Sequence, residues 1–314
     1  MVGKPDRTVV GLAIAFVVFV SAGFFLPSWA VSLVIVSLAR GLVALGLLVQ
    51  FRAGLVSFGQ ALFFGVGGYA VGLASVKLRV TDVLLLLLVG AAAATVLGAA
   101  LGFLMRRYRE IFFAMLSLAF SMLFYGLLVK TETLGSTDGF NIATPTLFGS
   151  RFSAPITRTL LHALTVTVAA GTAAGVHWYL GTTLGRLATA LRDNEVRVEY
   201  LGYSAARAIH GQYILGAALA GGAGALTAMA VGHIDPSMAY WTTSGELVFV
   251  TILSGTGSVF APFLGSLVFG LIQTFALQYA SQIWQMLLGA VLLLIILFFP
   301  GGLWSSFERR RVQA

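Results

Sequence analysis

The chain has 314 residues, of which 59% are hydrophobic and only 10% charged, and its mean hydropathy is +0.96. A soluble domain cannot cover its surface with so few charges, so the chain reads as an all-α, polytopic transmembrane bundle. The absence of cysteine excludes disulfides and thiolate metal sites, and in this setting a net charge of +8 points to loops beside anionic lipid and away from nucleic acid.

The first apolar run, 8–26, follows Lys4 and Arg7 in the manner of a signal peptide. No small-x-small cleavage site follows it, and Pro27 leads at once into a second run, which predicts an uncleaved first span. Further runs cover 30–50, 55–76, 83–105, 111–129, 157–180, 208–231, 245–257, 259–280 and 283–299. A full helical crossing takes about 20 residues, so 245–257 is too short for an ordinary span. The count therefore falls at about 8–10 membrane segments in one transmembrane domain, 1–314. With the first seven runs each crossing once, thirteen of the 19 Lys and Arg fall on one side and five on the other. That asymmetry puts both termini in the cytoplasm if the number of crossings is even.

Small residues four apart (Gly68/Gly72, Gly98/Gly102, Gly171/Gly175, Gly221/Ala225) predict close helix packing in lipid. Two glycine-interrupted stretches, Gly54–Gly72 and Ser244–Gly270, predict broken or re-entrant helices. Irregular backbone at membrane depth must be buried in protein or line a wet cavity, so these stretches point to a transport path. Arg40 stands in the middle of its run, where a charge costs about 2.5–3.5 kcal/mol on insertion scales. Glu246 is the one acid within another apolar segment, so an Arg40–Glu246 pair, or Arg40 against a solute carboxylate, is expected. The histidines offer no ligand set: His162 and His177 fall at opposite ends of one run, and His233-x-Asp235 has weak metal spacing.

The polar island 181–207, set between two long apolar runs, predicts a surface helix on which a separate motor subunit can push. Helix formers run from Arg186 to Leu191, and Asp193 or Asn194 can cap a second helical turn. If Ala190–Tyr203 is one helix, Leu191, Glu195, Val198 and Leu201–Gly202 share a face, leaving Arg192, Arg197 and Glu199 for charged contacts. No G-x-x-x-x-G-K-S/T loop occurs, so the chain carries no nucleotide-binding motif of that kind. A secondary transporter or channel is the alternative, but proton or sodium coupling calls for more buried carboxylates than Glu246 alone. An intramembrane enzyme would need a catalytic cluster that the sequence does not offer.

Four blocks in order then give a resemblance. They are Gly54-Leu-Val-Ser-Phe-Gly59 with Phe63-Phe-Gly-Val-Gly-Gly-Tyr69; Phe112 to Phe120; Gly185-Arg186 through Glu195 to Leu201-Gly202; and Leu253–Gly265 with Pro300-Gly-Gly-Leu303. Together, from about Ala39 to Trp304, they resemble the LivM-type permeases of branched-chain amino acid ABC importers. Departures stand beside them: Gln60 replaces a usual His, Ser254 the first Gly of a Gly-Gly-x-Gly turn, and Arg109-Glu110 a usual Arg-Gly or Thr-Gly. The 133–141 loop matches only loosely.

The resemblance implies a cytoplasmic (inner) membrane permease with no cofactor of its own, ATP being bound by two cytoplasmic partner subunits. It also implies a second permease of the same family and an extracytoplasmic solute-binding protein. Gly185, Arg186, Ala190, Arg192, Asp193, Glu195, Leu201 and Gly202 are the expected ATPase-coupling residues within 181–207. Arg40, Ser57, Gln60, Phe64, Glu246 and Ser254 are the expected residues of the solute path.

Overall fold

The computed structural model describes residues 7–147, 149–150, 153–298 and 301–305. Its α-helices are α1 (Arg7–Phe25), α2 (Ser28–Arg52), α3 (Gln60–Lys77), α4 (Val83–Met105), α5 (Glu110–Lys130), α6 (Ala154–Gly181), α7 (Thr183–Asp193), α8 (Glu195–Tyr200), α9 (Ala205–Val231), α10 (Trp241–Ser254), α11 (Ala261–Tyr279) and α12 (Trp284–Phe298). Seven of them, α1, α2, α4, α5, α6, α9 and α11, are long and apolar enough to cross a membrane. Among the described residues the bundle is all-α apart from one two-residue strand pair, β1 (Phe140–Asn141) with β2 (His233–Ile234), and short 3-10 turns.

At the centre, α9 packs against α2, α3 and α4. Its small residues permit this, because helices in lipid associate by close packing and not by the hydrophobic effect. A Cβ on Gly67 would strike the Gly221 carbonyl, one on Gly224 the Phe64 carbonyl, and one on Gly98 the Ala217 side chain. The expectation of tight packing thus holds for Gly98 and Gly221, and also for Gly68, Gly72 and Gly102, which meet side chains. It fails for Gly171 and Gly175, which face open space on the exposed side of α6.

Both interrupted stretches are breaks. The apolar run at 55–76 does not begin as helix: α2 ends at Arg52, Gly54 turns the chain at φ +77°, and α3 starts only at Gln60. The intervening Leu55, Ser57 and Gly59 are buried, as irregular backbone at this depth requires. In the second stretch, α10 has 14 residues, a length of about 21 Å, and stops at Gly255 with φ +83°. Its last carbonyls do not go unpaired. Leu303 N–H donates to Leu253 O (2.8 Å) and Trp304 N–H to Ser254 O (3.2 Å). Gly255 sits so close to Gly301 and Gly302 that a Cβ there would collide.

The contacts sort the two ends of the bundle. Phe260 stacks on Trp304 (5.9 Å between centroids) and lies against Gly11, while Arg52 donates to Thr256 O (2.7 Å). The N-terminal end of α1, the α10–α11 turn and residues 301–305 therefore share one end with the last residue of α2. At the other end lie the strand pair, the Thr81–Thr146 hydrogen bond (2.9 Å) and a 3-10 turn, Pro236–Ala239.

Candidate docking surface and solute cavity

The island 181–207 forms two helices, and not the single helix across Ala190–Tyr203. Thr182 caps α7, its Oγ1 accepting from Gly185 N–H (3.3 Å). Asn194 then breaks the helix with extended backbone (φ −164°) and caps α8, its Oδ1 accepting from Arg197 N–H (2.9 Å). The expected second N-cap is thus present, and it is what interrupts the shared face. Leu187, Ala188, Leu191 and Val198 are buried, as is Gly185, whose missing Cβ leaves room for the Tyr179 carbonyl.

Of the other expected coupling residues, Arg186, Ala190, Arg192, Asp193, Leu201 and Gly202 are exposed. Leu201 therefore does not join Leu191 and Val198 in the interior. With Val196, Tyr200 (89% exposed) and Tyr203 it forms an outward apolar patch beside Arg192, Arg197 and Glu199. Exposed apolar clusters rimmed by charge mark interaction surfaces.

Glu195 is engaged within the chain. The Arg109 guanidinium grips its carboxylate in a two-point fork, Nε to Oε2 at 2.8 Å and the second arm to Oε1 at 2.6 Å. With side chains 30% and 37% exposed, this bridge contributes little to stability, about 0.2–1 kcal/mol. Its fork geometry fixes position instead. The next residue, Glu110, has φ +50°, a left-handed conformation that favours glycine. A glycine there, as the family resemblance leads one to expect, would adopt this backbone without strain.

Midway along α2, Arg40 meets Glu246. Arg40 lies in α2, and its Nη1 donates to Gln273 Oε1 of α11 (2.5 Å) while Nη2 stands 3.8 Å from Glu246 Oε2 of α10. The guanidinium also lies over the Phe269 ring. The three side chains thus tie three helices together.

Arg40 and Glu246, each 22% exposed, line a cavity of about 200 Å³ together with Phe64, Asp235, His233 and Thr243. On the far side of Arg40 lies a groove of about 290 Å³ between α2 and α11 that includes Gln273 and Thr274. Three of the six expected path residues, Arg40, Phe64 and Glu246, therefore share one cavity.

The other three, Ser57, Gln60 and Ser254, are buried away from it. Gln60 Nε2 donates to Gln50 Oε1 (3.2 Å), Ser57 Oγ accepts from Gly59 N–H (3.3 Å), and Ser254 Oγ donates to Val250 O. His233 Nδ1 contacts Asn141 Oδ1 (2.9 Å) across the strand pair, and Asp235 caps the 3-10 turn through Ser237 N–H (2.7 Å). No group of three metal-ligating side chains gathers among the described residues.

The family described as "Branched-chain amino acid transport system / permease component" matches residues 29–297. The chain belongs to this family. Similar relatives include the LivM permease protein of a high-affinity branched-chain amino acid transport system in Salmonella typhimurium, 26% identical over 96% of this chain and 76% of the relative. The LivM protein of Escherichia coli is 27% identical over 93% of this chain and 72% of its own length. The E. coli LivH permease protein is 26% identical over 86% and 92%. No solved structure matches. The matched region of this permease-family chain takes in both the α7–α8 surface and the Arg40–Glu246 cavity.

Proposed function

We propose that the chain is one permease subunit of an ATP-driven importer for branched-chain amino acids or related small organic solutes. The match over residues 29–297 is the observation that carries this reading. The motor is two cytoplasmic ATP-binding subunits, docked on the exposed α7–α8 surface through Arg192, Arg197, Tyr200 and Leu201. The second permease is a family member; LivM and LivH proteins of E. coli, both permeases of a branched-chain amino acid transport system, support such pairing. An extracytoplasmic binding protein delivers the solute. The excess of Lys and Arg around the α7–α8 end supports a cytoplasmic position for it, and hence for both ends of the described chain, in an inner membrane.

The solute enters by the cavity that Arg40, Phe64 and Glu246 line. Alternating access follows if nucleotide favours one arrangement of the bundle over the other, since a ligand shifts populations by its differential affinity. The decisive experiment isolates the tagged chain from its native membrane in mild detergent and identifies its companions by mass spectrometry. A P-loop ATPase together with a second permease is the expected result. A homomer that moves solute into liposomes without ATP would overturn the importer reading.

A further inference from the structure

Among the helices that run between the docking end and the cavity, two differ in how firmly they are held. α9 is wedged among α2, α3 and α4 at contacts that admit no Cβ. α5 lies at the periphery, with Ile111, Phe112, Met115, Leu123 and Leu127 exposed, and its working contacts fall on one row, each four residues from the last.

Arg109, just ahead of the helix, holds Glu195. Phe113 is buried edge-on to Tyr213. Ser117 Oγ accepts from Phe58 N–H (3.1 Å) in the broken segment before α3, and the adjoining Gly59 leaves no room for a Cβ against the Ser117 carbonyl. Ser121 Oγ donates to Ala239 O (2.8 Å), in the 3-10 turn whose Ser237 and Met238 line the cavity. Tyr125 packs on Tyr240 (4.7 Å between centroids).

The row is jointed at the docking end by the left-handed backbone of Glu110 (φ +50°) and by the extended residue Asn194 that separates α7 from α8. Arg109 itself is anchored in its own turn, donating to Arg106 O (2.6 Å) and Tyr108 O (2.8 Å). A displacement of α8 therefore reaches α5 through a fork that resists both sliding and rotation.

We infer that α5 is the element that carries motor movement from α7–α8 to the solute cavity, with Arg109 and Glu195 as the positioning contact at its docking end. The inference rests on the importer reading above. It assigns Glu195 to the inside of the transmission and leaves the contact with the motor to Arg192, Arg197 and the apolar patch.

The test uses the whole assembly, purified with its partner subunits and reconstituted in liposomes. Solute taken up per ATP hydrolysed, motor retained and melting temperature are measured for wild type, Arg109→Glu, Glu195→Arg, the double swap and Ser121→Ala. Each single reversal should lower uptake per ATP by about tenfold, within the usual range of coupling between sites, with the motor retained and melting little changed. The double swap should recover most of that ratio, and Ser121→Ala should lower it without any change at the docking end.

Single reversals that leave the ratio intact, or a swap no better than either single, would overturn the inference. So would loss of the motor from the Glu195→Arg assembly, which would make Glu195 part of the docking surface. Uptake by the wild-type assembly without ATP sinks the importer reading itself, before any variant is compared.

Discussion

Arg40 with Glu246 and Arg109 with Glu195 are the same chemical pair in two settings. The first is loose, 3.8 Å apart, with Gln273 hydrogen-bonded to the Arg40 guanidinium, in the middle of α2; the second is a close fork at 2.6 and 2.8 Å at the end of the bundle. Distance alone would rank the second as stronger. Solvation reverses the order, because a charge left alone at membrane depth has no water to receive it, whereas a charge released at a surface does. The loose pair is therefore the one the fold depends on, and the close pair is free to serve motion.

The largest expected effect follows from removing one member of the deep pair. Arg40→Ala or Glu246→Ala should destabilise the bundle by about 3 kcal/mol in detergent unfolding, and replacing both by apolar residues should cost less than either alone. A single-variant loss below 1 kcal/mol would break the contrast, since it would mean that the cavity keeps both groups fully hydrated.

Glu110→Gly should be stabilising by up to about 1 kcal/mol, as it relieves left-handed backbone beside Arg109 while leaving the fork intact. Arg109→Ala should cost only about 0.2–1 kcal/mol in the same assay. The smallest effect is the sharpest. Raising ionic strength from about 0.05 to 0.5 M should shrink the difference between wild type and Arg109→Ala but leave that of Arg40→Ala unchanged, because screening acts on exposed charges.

The sequence makes the deep pair legible because the choice is small. An apolar chain with one central Arg and one acid inside another apolar run leaves few partners to consider. Helices were legible for the same reason, and both glycine-rich breaks were visible, although the start of α3 at Gln60 was not, since Leu55 to Gly59 is as apolar as a helix would be. The Arg109–Glu195 fork could not be read. Its partners are 86 positions apart, and each lies in a polar segment with several other charges to choose from. A cap at Asp193 or Asn194 was recognisable, but a cap also ends what precedes it, and that second consequence, at Asn194, divides α7 from α8. Ser117 and Ser121 carried no signal, because a serine in an apolar helix reads as a group that bonds its own backbone; only the fold supplies Phe58 and Ala239.

The way α10 ends has a consequence for biogenesis. The carbonyls of Leu253 and Ser254 are made well before the amides of Leu303 and Trp304 that they accept from. During synthesis, then, α10 can enter the membrane but cannot finish, and its open end must stay in contact with water or the insertion machinery until α11 and α12 have been threaded. The turn at 301–305 closes a helix laid down earlier. A nascent chain halted after α12 should therefore remain open to proteases at the α10–α11 turn, and one extended through Trp304 should not.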